Sequence, residues 1–98
     1  MLASVATVGS LGMVVAPPAT AATGNLTQSD LTSACRLKEG TNGWTAHLEF
    51  PNQGGYGWRC WADLSAVRKG VDIENYCQYY YGLHARGGST AYNWRCDT

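Results

Sequence analysis

The sequence predicts an α+β fold in which two pseudosymmetric helix-hairpin repeats form a small antiparallel sheet covered by two helices and held by two disulfides. Three observations lead there. The first is a tandem repeat: Asp30-Leu31-Thr32-Ser33-Ala34-Cys35, Gly40 and Tyr56-Gly57-Trp58-Arg59-Cys60 are answered by Asp72-Ile73-Glu74-Asn75-Tyr76-Cys77, Gly82 and Tyr92-Asn93-Trp94-Arg95-Cys96. The second is that all four cysteines lie at matching places in the two copies. The third is size, because units this short cannot each bury a core and are expected to stack into one domain.

The elements follow in order. Residues 1–21 read as a secretory signal peptide. Met1 to Ala16 is apolar and rich in small residues, Pro17-Pro18 breaks it, and Ala19-Thr20-Ala21 supplies a small-x-small cleavage site. No Lys or Arg precedes the apolar stretch, a departure from the usual leader. The stretch is also shorter than the roughly 20 apolar residues of a membrane span. Residues 22–29 are small and polar and are expected to be a loose N-terminal tail. A single duplicated domain, 30–98, follows, with repeat one at 30–60, a connector at 61–71 and repeat two at 72–96.

Within each repeat an Asp begins a helix and a Gly ends it, since Asp accepts from the first free N–H groups and Gly adopts the left-handed cap. Asp30 to Gly40 is the first helix and Asp72 to Gly82 the second. In the second, Ile73, Cys77 and Tyr80 or Tyr81 share a face, so at least one of Tyr79, Tyr80 and Tyr81 must point away from the core. Gly43 to Phe50 alternates like a strand, Pro51 to Gly55 turns the chain, and Tyr56 begins the return. Leu83 to Arg86, Gly87 to Thr90 and Ala91 to Cys96 repeat this plan. Alternation in the closing strands puts Tyr56, Trp58 and Cys60 on one side and Arg59 on the other. Tyr92, Trp94 and Cys96 oppose Arg95 in the same way. These repeated residues are expected to be framework, with the tryptophans shielding the disulfides and the arginines pairing with acids or stacking on rings.

A bridge inside an ancestral unit is copied with that unit, which predicts Cys35–Cys60 and Cys77–Cys96. A domain of this size in an oxidising compartment needs such staples. Zinc is disfavoured because no Cys-x-x-Cys pair exists. The chain resembles small cysteine-paired modules of secreted bacterial proteins that carry an Asp-Leu-x-x-x-Cys helix start, a Gly and a closing Tyr-x-Trp-Arg-Cys, from Asp30 to Cys96. That resemblance implies secretion and paired cysteines. It carries over no catalytic residue.

Seven basic residues balance seven acidic ones, so the attraction that drives nonspecific binding to nucleic acid or anionic membranes is missing. Four Trp, six Tyr and one Phe are the main apolar resource. The unrepeated aromatics Trp44, Phe50, Trp61, Tyr79 and Tyr81 are the ligand-binding candidates, with the Pro51–Gly55 and Gly87–Thr90 loops as rims. His47 and His84 are the only histidines. No nucleophile elbow, phosphate-binding Gly loop or dinucleotide fingerprint accompanies them. The carboxylates Glu39, Glu49, Asp63 and Glu74 are the sort that any small domain offers. The expectation is a secreted noncatalytic binding module for cell-wall or extracellular polysaccharide, needing no metal or cofactor. The alternative is a protein-directed effector such as a protease inhibitor or a small antagonistic toxin.

Overall fold

A computed structural model describes residues 22–98, so the expected signal peptide lies outside the described residues. The described residues form a small α+β domain with two α-helices, a 3-10 helix and two antiparallel sheets, α1 spanning Gln28–Glu39, β1 Trp44–Leu48, the 3-10 segment Pro51–Gly57, β2 Trp58–Ala62, β3 Arg68–Gly70, α2 Ile73–Tyr81, β4 His84–Arg86 and β5 Arg95–Asp97. Strands β1, β2 and β3 make a three-stranded sheet with β2 central, while β4 and β5 pair separately. The single sheet expected from the sequence is therefore two. Within the connector 61–71 the first residues extend β2, and Arg68–Gly70 returns as the third strand.

The two helices start differently despite the repeated Asp. Asp72 caps α2, its Oδ1 accepting from the Asn75 N–H at 3.0 Å. In α1 the cap is Thr27, and Asp30 is the third helical residue of a capping box, accepting from the Thr27 N–H at 2.8 Å. Each helix ends on a left-handed glycine, Gly40 at φ 77° and Gly82 at φ 66°. The segment expected to be a loose tail is docked. Gln28 and Ser29 belong to α1, Leu26 is buried, and the N–H groups of Thr23 and Leu26 donate to the Cys96 and Trp94 carbonyls at 2.9 and 2.7 Å. Burying Leu26 and pairing backbone groups with the β5 edge offsets the entropy of ordering so short a segment.

Strand β1 has a free edge on the side away from β2, and α1 covers it with polar side chains. Gln28 Nε2 donates to Ala46 O at 2.8 Å, Thr32 Oγ1 accepts from Ala46 N at 3.0 Å, and Arg36 Nε donates to Trp44 O at 3.0 Å. These residues stand at i, i+4 and i+8, one stripe of the helix. The adjacent stripe is apolar, and Leu31, Ala34 and Cys35 are fully buried.

Disulfides join Cys35 to Cys60 and Cys77 to Cys96, tying α1 to β2 and α2 to β5. Around them the core gathers Leu31, Ala46, Trp58, Ile73, Tyr76 and Leu83. The halves meet through reciprocal contacts. Trp58 Nε1 donates to Ala91 O at 2.7 Å, and Trp94 Nε1 donates to Gly55 O at 2.8 Å. The ring of Tyr56 meets Trp94 edge-on at 5.5 Å, and Tyr92 meets Trp58 edge-on at 6.3 Å. Only glycine fits at this junction. A Cβ on Gly55 or on Gly88 would stand 2.5 Å from Trp94.

Candidate functional site

Between the halves lies an open groove of about 1160 Å³. Its residues come from almost every element: Lys38 and Glu39 at the end of α1, Gln53, Gly55 and Tyr56 of the 3-10 segment, Trp58 and Arg59 of β2, Lys69 to Ile73, Glu74 of α2, Ala85 to Gly87 and Trp94. The loop glycines that press together beside Trp94 set one end of it, so the junction that holds the halves also shapes the groove. Both expected rim loops contribute, but their tips are packed against each other, the Gly55 N–H donating to Gly88 O at 2.9 Å.

Charge in the groove is arranged in pairs. Lys38 Nζ stands 3.6 Å from Asp72 and Lys69 Nζ 3.2 Å from Glu39. Glu74 accepts from the Gln78 side-chain amide, from the Ala85 N–H at 2.9 Å, and stands 2.8 Å from His84 Nδ1. The Gln78 hydrogen bond, then the Ala85 N–H, then His84 hold its carboxyl down at about 2 against an ordinary 4.5. Arg59 and Arg86 have no carboxylate side chain as partner among the described residues. Arg59 Nη1 donates to Tyr56 O and Trp58 O at 2.7 and 2.8 Å, with the guanidinium 4.9 Å from the Phe50 ring centre. Arg86 donates from Nε to Thr98 O at 3.2 Å and from Nη1 to Ala85 O at 3.5 Å. Among the other framework residues, Arg95 pairs with Asp97 at 3.8 Å.

The five unrepeated aromatics do not come together, and none lines the groove. Trp61 lies on the outer face of the three-stranded sheet between His47, stacked at 4.1 Å, and Arg68, 4.0 Å from its ring centre, while its Nε1 donates to Glu49 at 3.0 Å. These neighbours leave it half-buried. Trp44 and Tyr81 are partly buried against the core. Phe50 serves Arg59. Tyr79 is exposed at 68 % beside the also exposed Tyr80, on the helix face turned away from the core. The exposed aromatic that lines the groove, Tyr56, belongs instead to the repeated motif, and its repeat counterpart Tyr92 is exposed outside the groove. Tyr56 is 67 % exposed and Tyr92 66 %, whereas alternation had put both on the buried side. Tyr56 precedes β2 within the 3-10 segment, so strand alternation does not govern it. Tyr92 likewise lies in the turn before β5. Trp58 is buried, and Trp94 is partly buried.

The candidate catalytic groups are likewise dispersed. His47 is stacked on Trp61, and His84 is exposed beside Glu74. Glu39, Glu49, Asp63 and Glu74 each engage a different partner: Lys69, Trp61, Thr45 and the Gln78–His84 pair. Tyr76, buried and hydrogen-bonded to Asp30 at 3.3 Å, has its phenol pushed well above its ordinary range, chiefly by burial. Comparisons with protein-family models, with curated proteins and with solved structures find no match to this chain.

Proposed function

We propose that the protein is an exported, noncatalytic binding module whose groove takes an extended polysaccharide of a cell wall or extracellular matrix. The observation that carries this reading is the groove itself, which combines an exposed Tyr56 edge-on to Trp94 with a lining of charged and amide side chains. Sugars present both an apolar face and a rim of hydroxyls, so a ring beside hydrogen-bonding side chains meets both needs. Tyr56 is braced by Trp94 and costs little side-chain entropy on binding. Two disulfides suit an oxidising compartment, and no helix among the described residues is long and apolar enough to cross a membrane. A binding role also accounts for titratable groups committed to ion pairs and hydrogen bonds in separate places.

The test is retention of the oxidised protein on insoluble polysaccharides and cell walls, with and without prior proteinase treatment. Retention is expected to survive proteinase and to fall on Tyr56→Ala, while Tyr79→Ala leaves it unchanged. Retention abolished by proteinase treatment would replace this reading with a protein-directed effector.

A further inference from the structure

The groove's charge balance says which polysaccharide it fits. Four basic side chains (Lys38, Arg59, Lys69, Arg86) line it against three acidic ones (Glu39, Asp72, Glu74), an excess of one positive charge. The local pairing matters more than the sum. Both lysines are neutralised by Asp72 and Glu39, and Glu74 is engaged by Gln78, Ala85 and His84. Arg59 meets only the Tyr56 and Trp58 carbonyls, and Arg86 meets the Ala85 carbonyl and an oxygen of Thr98, the last residue of the sequence. Each guanidinium has five N–H donors. Two are used on each, leaving three on each side chain for a ligand.

We propose that the groove binds a carboxylated polysaccharide, a chain bearing uronic-acid sugars, with Arg59 and Arg86 receiving its carboxylates and Tyr56 a sugar face. The inference rests on the polysaccharide reading above. A neutral glycan offers no anion to the remaining N–H donors of either guanidinium, neither of which has a carboxylate side chain beside it among the described residues, whereas a carboxylate matches the fork of an arginine with two parallel charge-assisted hydrogen bonds. Phosphodiester chains fit less well, because Glu39, Asp72 and Glu74 line the same groove and the protein as a whole has no net charge.

The experiment compares binding of the oxidised protein to polygalacturonate, its methyl ester and alginate, with polyglutamate as a polyanion without sugar and cellulose and chitin as neutral polymers. Binding to the two uronates is expected, with loss on esterification. Arg86→Gln should weaken it by about tenfold, the scale of one charge-assisted hydrogen bond, and Arg68→Gln, outside the groove, should not. Arg59→Gln is expected to act like Arg86→Gln. Because Arg59 also ties the 3-10 segment to β2, Arg86→Gln decides the matter if the Arg59 variant loses its near-ultraviolet circular dichroism. Equal binding to polygalacturonate and its ester, or to a neutral polymer in place of the uronates, overturns the carboxylate assignment and leaves the polysaccharide reading standing. Equal binding to polyglutamate overturns the assignment in favour of charge alone. Binding to none of these polymers, with none to cell walls, overturns both.

Discussion

Glu74 joins α2 to β4 through one carboxylate, accepting from Gln78 four residues along its own helix and from the Ala85 N–H across the turn, with His84 alongside. Each partner favours the ionised form, so its folded pKa, about 2, lies below the ordinary 4.5. A depressed carboxyl contributes stability that is fully present above the unfolded value and is lost as pH falls toward the folded one. The advantage of wild type over Glu74→Gln in urea unfolding should therefore shrink as pH falls between about 4.5 and 2. A difference that is the same at both ends of that range would refute the assignment. The sequence placed Glu74 beside the Asp72 cap but did not reveal its partners. Gln78 was within reach at helical spacing. Ala85 and His84 were brought there only by the turn at Gly82. At the same scale Asp72 was legible as a cap, whereas Asp30 was misread as one because its repeat partner is one. Thr27-x-x-Asp30 is itself a capping-box signature, and that local pattern outweighs the analogy between repeats.

At the level of elements, the α1–β1 pair shows how a helix can satisfy a strand edge that no third strand covers. Thr32 Oγ1 is the acceptor for the Ala46 N–H, and Ala46 is fully buried. Thr32→Val keeps the shape and deletes the acceptor, leaving a donor without a partner in the protein, which costs about 1–3 kcal/mol. Chemical denaturation should show that loss, and hydrogen exchange should show the Ala46 amide exchanging faster than its neighbours. An unchanged Ala46 amide would mean that the hydroxyl does not protect it. The polar stripe Gln28, Thr32, Arg36 was present in the sequence, but a polar helix face ordinarily means solvent, so its role as an edge cover could not be read there. Strand β3 was hidden for a different reason. Arg68-Lys69-Gly70 has three residues, all exposed, with no apolar alternation, and it is a strand because the turn after Ala62 returns it to β2. The two helices and the strands around Cys60 and Cys96 were legible because caps, glycines and a repeated closing motif all marked them. The groove was not, because it depends on two loops from different halves meeting at Gly55 and Gly88.

Across the whole molecule the two halves are unequal in sheet and reciprocal in contact. The first half has three strands, while the second has a two-stranded ribbon of three-residue strands, a unit that is at best marginal alone. Each half completes the other, with Trp58 bonded to Ala91, Trp94 to Gly55, and the N-terminal segment laid along β5. The disulfides close loops with sequence separations of 25 and 19, so chain entropy alone assigns each roughly 3 kcal/mol, the two differing by only about 0.2 kcal/mol. The surroundings break that near-equality. Without Cys35–Cys60, β2 is still held between β1 and β3, and α1 still grips β1 through its polar stripe. Without Cys77–Cys96, β5 keeps β4 as its one strand partner, with the Thr23 and Leu26 contacts, while the second half is otherwise joined through the Glu74–Ala85 bond and the junction bonds of Trp58, Trp94 and Gly55. Cys77→Ser with Cys96→Ser is therefore expected to destabilise the protein more than Cys35→Ser with Cys60→Ser. In both variants the reciprocal tryptophans should keep the transition single. Fluorescence of variants that carry Trp44→Phe and Trp61→Phe in addition, so that Trp58 and Trp94 at the junction are the emitters, and far-ultraviolet circular dichroism, which reports the helices, should give coincident midpoints. An early fluorescence transition with the helical signal intact would show that the halves fold independently and that their reciprocal contacts are adornments to two separate cores.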